Sequence, residues 1–120
     1  MAKILVVDDE PDILLMLRMA LEDESYEVVL AADGEMALAR IEEHSPDLVV
    51  LDLMMPVLDG YGVLDRLKSS GSTLPVVVLS ARNDQADVDR ALALGAAEFM
   101  SKPFDLDRLL KLVASILAGA

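Results

Sequence analysis

The chain has 120 residues, and 10 Lys+Arg against 22 Asp+Glu give it a formal net charge of −12. With 54% hydrophobic and 27% charged residues it reads as one globular domain with a real core, and so acidic a chain is a poor match for nucleic acid, whose binding needs a basic surface. It has no cysteine and one histidine, His44, which excludes disulfides and thiolate or His-cluster zinc sites and argues against a Ser-His-Asp triad.

Met1-Ala2-Lys3 leads straight into Ile4–Val7 and then into acids, which is no signal peptide, so the expected location is the cytoplasm. Ile4–Val7 predicts a first strand. Pro11 can open a helix on which Ile13, Leu14, Leu17 and Leu21 recur at helical spacing. Val28–Ala31 predicts a second strand, and Asp33-Gly34 turns into a second helix carrying Ala37, Leu38 and Ile41. That helix stops before His44-Ser45-Pro46, where His44 reads as a surface turn residue. Leu48–Leu51 is the third strand; Asp59-Gly60 then precedes a helix with Val63, Leu64 and Leu67 that ends near Gly71. Val76–Leu79 is the fourth, followed by a helix from about Asp84 to Leu94 with Gly95 as its stop. Phe99–Met100 is a weaker fifth strand, and Leu106, Leu109, Leu110, Val113, Ile116 and Leu117 form the stripe of a last helix. No apolar run is long enough to cross a bilayer, the longest being broken by Asp52.

Continuous Val, Leu and Ile runs are what strands covered on both faces of a parallel sheet require. Alternating strand and helix through the whole chain predicts an α/β doubly wound, five-stranded parallel sheet in flavodoxin-like order 2-1-3-4-5 with five helices, one domain over residues 1–120.

Ligands bind such sheets at the C-terminal strand edge, at the switch point between strands 1 and 3. Asp8, Asp9 and Glu10 follow the first strand, Asp52 the third, Ser80 the fourth, and Lys102-Pro103 the fifth. Crowded carboxylates repel unless a cation sits among them, and oxygen ligands without His or Cys favour a hard ion, Mg²⁺ first. Carboxylate, metal, hydroxyl and ammonium together match phosphoryl transfer: Asp52 attacks in line while Ser80 and Lys102 hold the phosphoryl oxygens. No GxxxxGK[ST] loop is present, which argues against a nucleotide donor held by a P-loop. Asp8 or Asp9 could instead cap the first helix, and Lys102-Pro103 could be a simple turn. Asp52 fits no such role, because it interrupts an apolar run where an unpaired acid is costly.

At these residues the sequence resembles a receiver domain of two-component response regulators, of the chemotaxis-regulator kind. The likeness rests on Val6-Val7-Asp8-Asp9-Glu10, Leu51-Asp52-Leu53-Met54-Met55-Pro56 with Asp59-Gly60, Ser80-Ala81, Gly95-Ala96, and Lys102-Pro103-Phe104. It implies a switch phosphorylated on Asp52 by a histidine kinase or histidine phosphotransfer protein. It also implies Mg²⁺ held by Asp9 and Asp52, by Asp8 mainly through water, and by the Met54 carbonyl. The phosphoryl group would be held by Ser80, the Ala81 amide and Lys102, with a cis Lys102–Pro103 bond. Ser80 and Phe99 would then switch the face of the fourth helix, fifth strand and fifth helix. A downstream effector protein or a fused output domain would read that face.

The sequence departs from the family pattern in places. Ser80 stands where Thr is commoner, and Phe99 lacks the phenolic oxygen of the commoner Tyr. Met54 and Arg82 occupy positions that tune aspartyl-phosphate lifetime in the family. Gly95-Ala96-Ala97-Glu98-Phe99 replaces a Gly-Ala-Asp-Asp-Tyr run associated with one mode of dimerisation. The first helix reads Ile13-Leu14-Leu15-Met16-Leu17 and then Met19-Ala20-Leu21, wider than one buried face needs, either as a helix flanked by neighbours or as a Met- and Leu-bearing stripe for a partner helix. Residues 81–120 carry 5 basic and 6 acidic side chains, a near-neutral face suited to an output partner. Two other functions compete: a receiver-fold interaction module that needs no phosphorylation, and a phosphohydrolase with an aspartyl nucleophile. The crowded charges disfavour the first, and the absence of a second acid two residues after Asp52 disfavours the second.

Overall fold

Each apolar run is a strand of one parallel sheet. The computed structural model describes residues 1–119. The strands are β1 (Lys3–Val7), β2 (Glu27–Ala31), β3 (Leu48–Leu51), β4 (Val76–Ser80) and β5 (Glu98–Ser101). They alternate with α1 (Pro11–Asp23), α2 (Gly34–His44), α3 (Gly60–Ser69), α4 (Gln85–Ala93) and α5 (Leu106–Gly119). The sheet order is β2-β1-β3-β4-β5, every neighbouring pair parallel, so the predicted flavodoxin-like α/β arrangement holds.

The alternation of side chains along the strands divides the core in two. Leu5, Val7, Val49, Leu51, Val76 and Val78 face α2, α3 and α4, meeting Ala37, Val63, Leu64 and Ala91. Ile4, Val6, Leu48, Val50, Val77 and Leu79 face the other way, onto Leu17 and Leu21 of α1 and Leu109 and Val113 of α5. Strands β1, β3 and β4 are buried through their lengths apart from Lys3, as doubly covered strands must be. The edge strands β2 and β5 are only partly covered, which is why the fifth run is weak in the sequence.

Helix entrances follow the local chemistry. Asp33, Asp59 and Asp84 cap α2, α3 and α4, each carboxylate accepting from an N–H three residues on. Pro11 takes the first turn of α1. Gly95, at φ +101°, follows α4 as its stop. Several boundaries shift by a residue from expectation, two of them at side chains already singled out. Ser80 is the last residue of β4 rather than the first beyond it. His44 is the last residue of α2, not part of a turn, because Ser45 at φ 48° supplies the left-handed cap one position later. Its carbonyl accepts from Lys3 Nζ at 3.0 Å, at the sheet edge opposite Asp52.

Candidate functional site

The ladder runs one residue past the strands and fixes the acids that follow them. The Asp8 N–H donates to the Ala31 carbonyl at 3.2 Å, and the Asp52 N–H to the Val7 carbonyl at 3.0 Å. The Lys102 N–H donates to the Ser80 carbonyl at 2.9 Å, so the ends of β4 and β5 are tied together. Gly60 opens α3 directly over this edge, its N–H donating to the Leu53 carbonyl at 3.0 Å. A side chain there would press on the Asp52 and Leu53 backbone, so close approach demands glycine.

The side chains converge on one ammonium. Lys102 Nζ donates to Asp8 Oδ2 at 2.7 Å and to Asp52 Oδ2 at 3.4 Å, and lies 3.7 Å from Glu10 Oε1. Asp8 and Asp52 are 2% and 5% exposed, so these are interior charges. Asp8 Oδ1 accepts from the Glu10 N–H at 2.9 Å, and Asp52 Oδ1 from the Met54 N–H at 3.4 Å. Burial, and then the charge of Asp8, hold the Asp52 carboxyl above the ordinary range, although Lys102 and the Met54 N–H pull it down. Burial works against the Lys102 ammonium too, but the Asp8 hydrogen bond and the charges of Asp52, Asp8 and Glu10 outweigh it, so its pKa is raised. The Lys102–Pro103 peptide is cis.

Neither Asp8 nor Asp9 caps α1. The N-cap is Glu10, with no side-chain bond, and Asp8 is turned inward to Lys102 instead. Carboxylate oxygens of Asp8, Asp9 and Glu10 lie within 4.8 Å of one another, with Asp9 and Glu10 exposed. Asp52 joins this group through Lys102. Ser80 is fully buried, and its Oγ accepts from the Arg82 N–H at 3.1 Å; Ala81 beside it is exposed. Phe99, half-buried, pairs in register with Val78 on β4 and packs against the core beneath α4.

One cluster beside the site is absent from the sequence reading. Asp87 of α4, 6% exposed, accepts from the Tyr61 hydroxyl at 2.6 Å and from Arg82 Nε at 2.8 Å. The Arg90 guanidinium lies 3.9 Å from the centroid of the Tyr61 ring. The Tyr61 hydrogen bond, first among several causes, holds the Asp87 carboxyl below its ordinary range. Burial and the Asp87 bond push Tyr61 up to about 12. A signal for this existed: Asp87, Ala91 and Leu94 recur at helical spacing, which places an acid on the buried face of α4.

On α1, Leu17 and Leu21 are buried while Leu15, Met16 and Met19 are 57%, 38% and 63% exposed. The neighbours of α1 therefore leave that stripe open. Among the described residues no helix is long and apolar enough to cross a membrane.

Comparison with known proteins agrees with this fold. The family model described as "Response regulator receiver domain" matches residues 4–114. The chain is 47% identical to the response regulator GtcR of Aneurinibacillus migulanus over 102 residues, which is 85% of this chain and 42% of that protein. It is 45% identical to the alkaline phosphatase synthesis transcriptional regulatory protein PhoP of Bacillus subtilis, again covering 85% of this chain and 42% of that protein. The chain thus spans less than half the length of these relatives. Among solved structures, the receiver domain of Francisella response regulator 1452 superposes with a TM-score of 0.94 at 31% identity, covering 98% of each chain. The Vibrio cholerae chemotaxis protein CheY4 does so with a TM-score of 0.87 at 34% identity, covering 96% of this chain and 98% of that one.

Proposed function

The chain belongs to the response regulator receiver domain family, and from that premise we propose that it is a phospho-accepting switch charged on Asp52 by a partner phosphohistidine. The observation that carries this reading is the position of Lys102, whose ammonium reaches both Asp8 and Asp52 across the ends of the strands. A buried lysine between two buried acids contributes little to stability that an apolar core would not, but it is suited to follow negative charge as it moves.

An Asp52 carboxylate oxygen attacks phosphorus as the P–N bond to the donor imidazole breaks. The imidazole leaves with that electron pair and takes up a proton, and Asp52 becomes an acyl phosphate. The Lys102 ammonium then hydrogen-bonds the transferred group, with the Ser80 hydroxyl and the Ala81 N–H as the other donors. The donor set here is oxygen only, with Asp8, Asp9 and Glu10 already close together, and it fits a hard divalent ion. Asp8, Asp9, Asp52 and the Met54 carbonyl are the ligands we assign to Mg²⁺. When bound, Mg²⁺ supplies positive charge to the phosphoryl oxygens.

Ser80 drawn toward the phosphoryl group moves the end of β4. Because its carbonyl holds the Lys102 N–H, β5 is linked to that motion, and Phe99 of β5, paired with Val78 and packed against the core that includes Ala91 of α4, is placed to respond. The face of α4, β5 and α5 is the output surface in this reading, and the near-neutral charge of residues 81–120 supports it. A histidine kinase or phosphotransfer protein charges the site, the exposed stripe of Leu15, Met16 and Met19 being a candidate dock. A separate effector or a fused output domain reads the switch. Such signalling takes place in the cytoplasm.

The test is intact mass after incubation with acetyl phosphate and Mg²⁺, beside an EDTA control and Asp52→Asn. One base-labile phosphoryl adduct, lost in both controls, is expected. An adduct that survives Asp52→Asn overturns the assignment.

A further inference from the structure

Two loops leave the sheet edge, one beginning at Asp52 and the other after Ser80, and their side chains touch. Met54, two residues beyond Asp52, is 53% exposed, and its Sδ lies 3.6 Å from Arg82 Nη1, two residues beyond Ser80. Arg82 is anchored at three points. Its N–H donates to Ser80 Oγ at 3.1 Å, its Nε to Asp87 Oδ1 at 2.8 Å, and its Nη1 reaches Met54. The arginine is half open to solvent, with 52% of its side chain exposed, whereas its Asp87 partner is 8% exposed. A solvated arginine on a flexible stem would ordinarily sample many rotamers. Asp87 removes that freedom, and is itself held, by the Tyr61 hydroxyl at 2.6 Å and by the Asp84 cap, which accepts from the Asp87 N–H at 2.9 Å. Tyr61 in turn is buried on α3 under Arg90. The orientation of the exposed arginine is therefore set by a buried tyrosine–aspartate pair between two helices.

We propose that Asp87 and Tyr61 are positioning residues that hold the Arg82 guanidinium against Met54, closing the gap between the β3–α3 and β4–α4 loops over Asp52 and slowing attack there. This inference rests on Asp52 being the phospho-acceptor. Water that hydrolyses an acyl phosphate must reach phosphorus in line with the breaking bond, and a contact between side chains two residues beyond Asp52 and two beyond Ser80 would obstruct that approach. Arg82 itself lies at a position that tunes lifetime in the family; the new element is that its placement belongs to Asp87 and Tyr61.

The experiment measures the rate of loss of the phosphoryl group from Asp52 by intact mass, after loading with acetyl phosphate and Mg²⁺ and removal of the donor. The chains compared are the parent, Arg82→Ala, Asp87→Ala, Tyr61→Phe and the Arg82→Ala/Asp87→Ala double variant. Asp87→Ala and Arg82→Ala are each expected to speed loss on the order of 5-fold, a change within reach of one hydrogen bond. Tyr61→Phe, which keeps the ring and removes only the hydroxyl, should give a smaller acceleration. The double variant should be no faster than Arg82→Ala, because both changes act through one side chain. Loading should also accelerate, which a merely destabilised fold would not produce. If Asp87→Ala fails to fold, Tyr61→Phe against Arg82→Ala gives the same comparison. An unchanged rate in Asp87→Ala and Tyr61→Phe, or multiplying effects in the double variant, overturns the positioning role alone. Failure of the parent to form an adduct at Asp52 overturns the phospho-acceptor reading and this inference with it.

Discussion

Lys102→Met removes the ammonium shared by Asp8, Asp52 and Glu10 and keeps most of the apolar stem. At Nζ–oxygen separations of 2.7 and 3.4 Å, an effective dielectric of about 20 gives attractions of roughly 6 and 5 kcal/mol before desolvation is subtracted. The side chains of Lys102, Asp8 and Asp52 are only 11%, 3% and 6% exposed, so solvent screens little of this attraction. Burial takes much of it back, and breaking a buried pair from one side costs about 3–5 kcal/mol. Protonation sets a second limit. An orphaned carboxyl can take up a proton, which near neutral pH costs about 1.4 kcal/mol for each pH unit above the ordinary value of 3.8 that it has in the unfolded chain, or roughly 4 kcal/mol in all. Lys102→Met should therefore lose about 2–4 kcal/mol near neutral pH in EDTA. The loss depends on pH with a definite sign. Burial and Asp8 already hold Asp52 above its ordinary value of 3.8, and without Lys102 it rises further. Such a carboxyl keeps its proton more readily in the folded chain than in the unfolded one. The penalty is absent below the unfolded value and grows as pH rises toward the folded one. At about pH 4.5 the loss should shrink below about 1 kcal/mol. Urea unfolding followed by circular dichroism at the two pH values measures both numbers. Equal losses at both, or a variant more stable than the parent near neutrality, would refute an ionic origin for this site.

Other perturbations probe the scaffold around it. Gly60→Ala places a methyl against the Asp52 carbonyl and 2.7 Å from Leu53 Cα. It should cost about 1–3 kcal/mol in urea unfolding and slow phosphorylation of Asp52, whereas an unchanged midpoint would mean α3 can move away freely. Val57, 80% exposed, sits at φ 69°, which a β-branched residue rarely adopts. Val57→Gly should raise stability by about 0.5 kcal/mol, relief of strain exceeding the added freedom of the unfolded chain, and a lower midpoint would contradict this. Tyr61, at about 12 against an ordinary 10.0, adds stability that is whole below the ordinary value and lost as pH climbs through the higher one. A phenolate absorbance titration should show one of the two tyrosines ionising near 12. That component should vanish in Tyr61→Phe, and its persistence there would exclude Tyr61 as its source.

What could be read from the chain and what could not follow from the range of the interactions involved. Ile4–Val7, Leu48–Leu51 and Val76–Leu79 announce interior strands because both of their faces must be apolar, and the structure keeps them within a residue or two. Phe99–Met100 signals weakly because β5 is an edge, with Glu98 and Ser101 exposed at its ends. The order of the strands then brings Asp8, Asp52, Ser80 and Lys102 to one edge, which makes the site legible before any side chain is placed. The inward turn of Asp8 was not legible, since an acid before a helix is an equally good cap; only Lys102, far along the chain, decides between them. The Tyr61–Asp87–Arg82 cluster was missed for a similar reason. Asp87 alone gives a sign, an acid at helical spacing with Ala91 and Leu94; Tyr61 and Arg82 are ordinary in their own segments, and the chemistry appears only when α3, α4 and the β4–α4 loop are packed together. His44 went to the wrong element by one residue because Ser45, not a glycine, takes the left-handed position that ends α2.

Borohydride reduction of the phosphorylated chain, followed by peptide mass spectrometry, tests the assignment of the acceptor most directly. An aspartyl phosphate is reduced to homoserine, so the modified position is read from the mass of its peptide. Homoserine at position 52 alone, dependent on Mg²⁺, is the predicted result. Homoserine at Asp8, Asp9 or any other acid, or a phosphoryl adduct that borohydride does not convert, would contradict Asp52 as the acceptor of this switch.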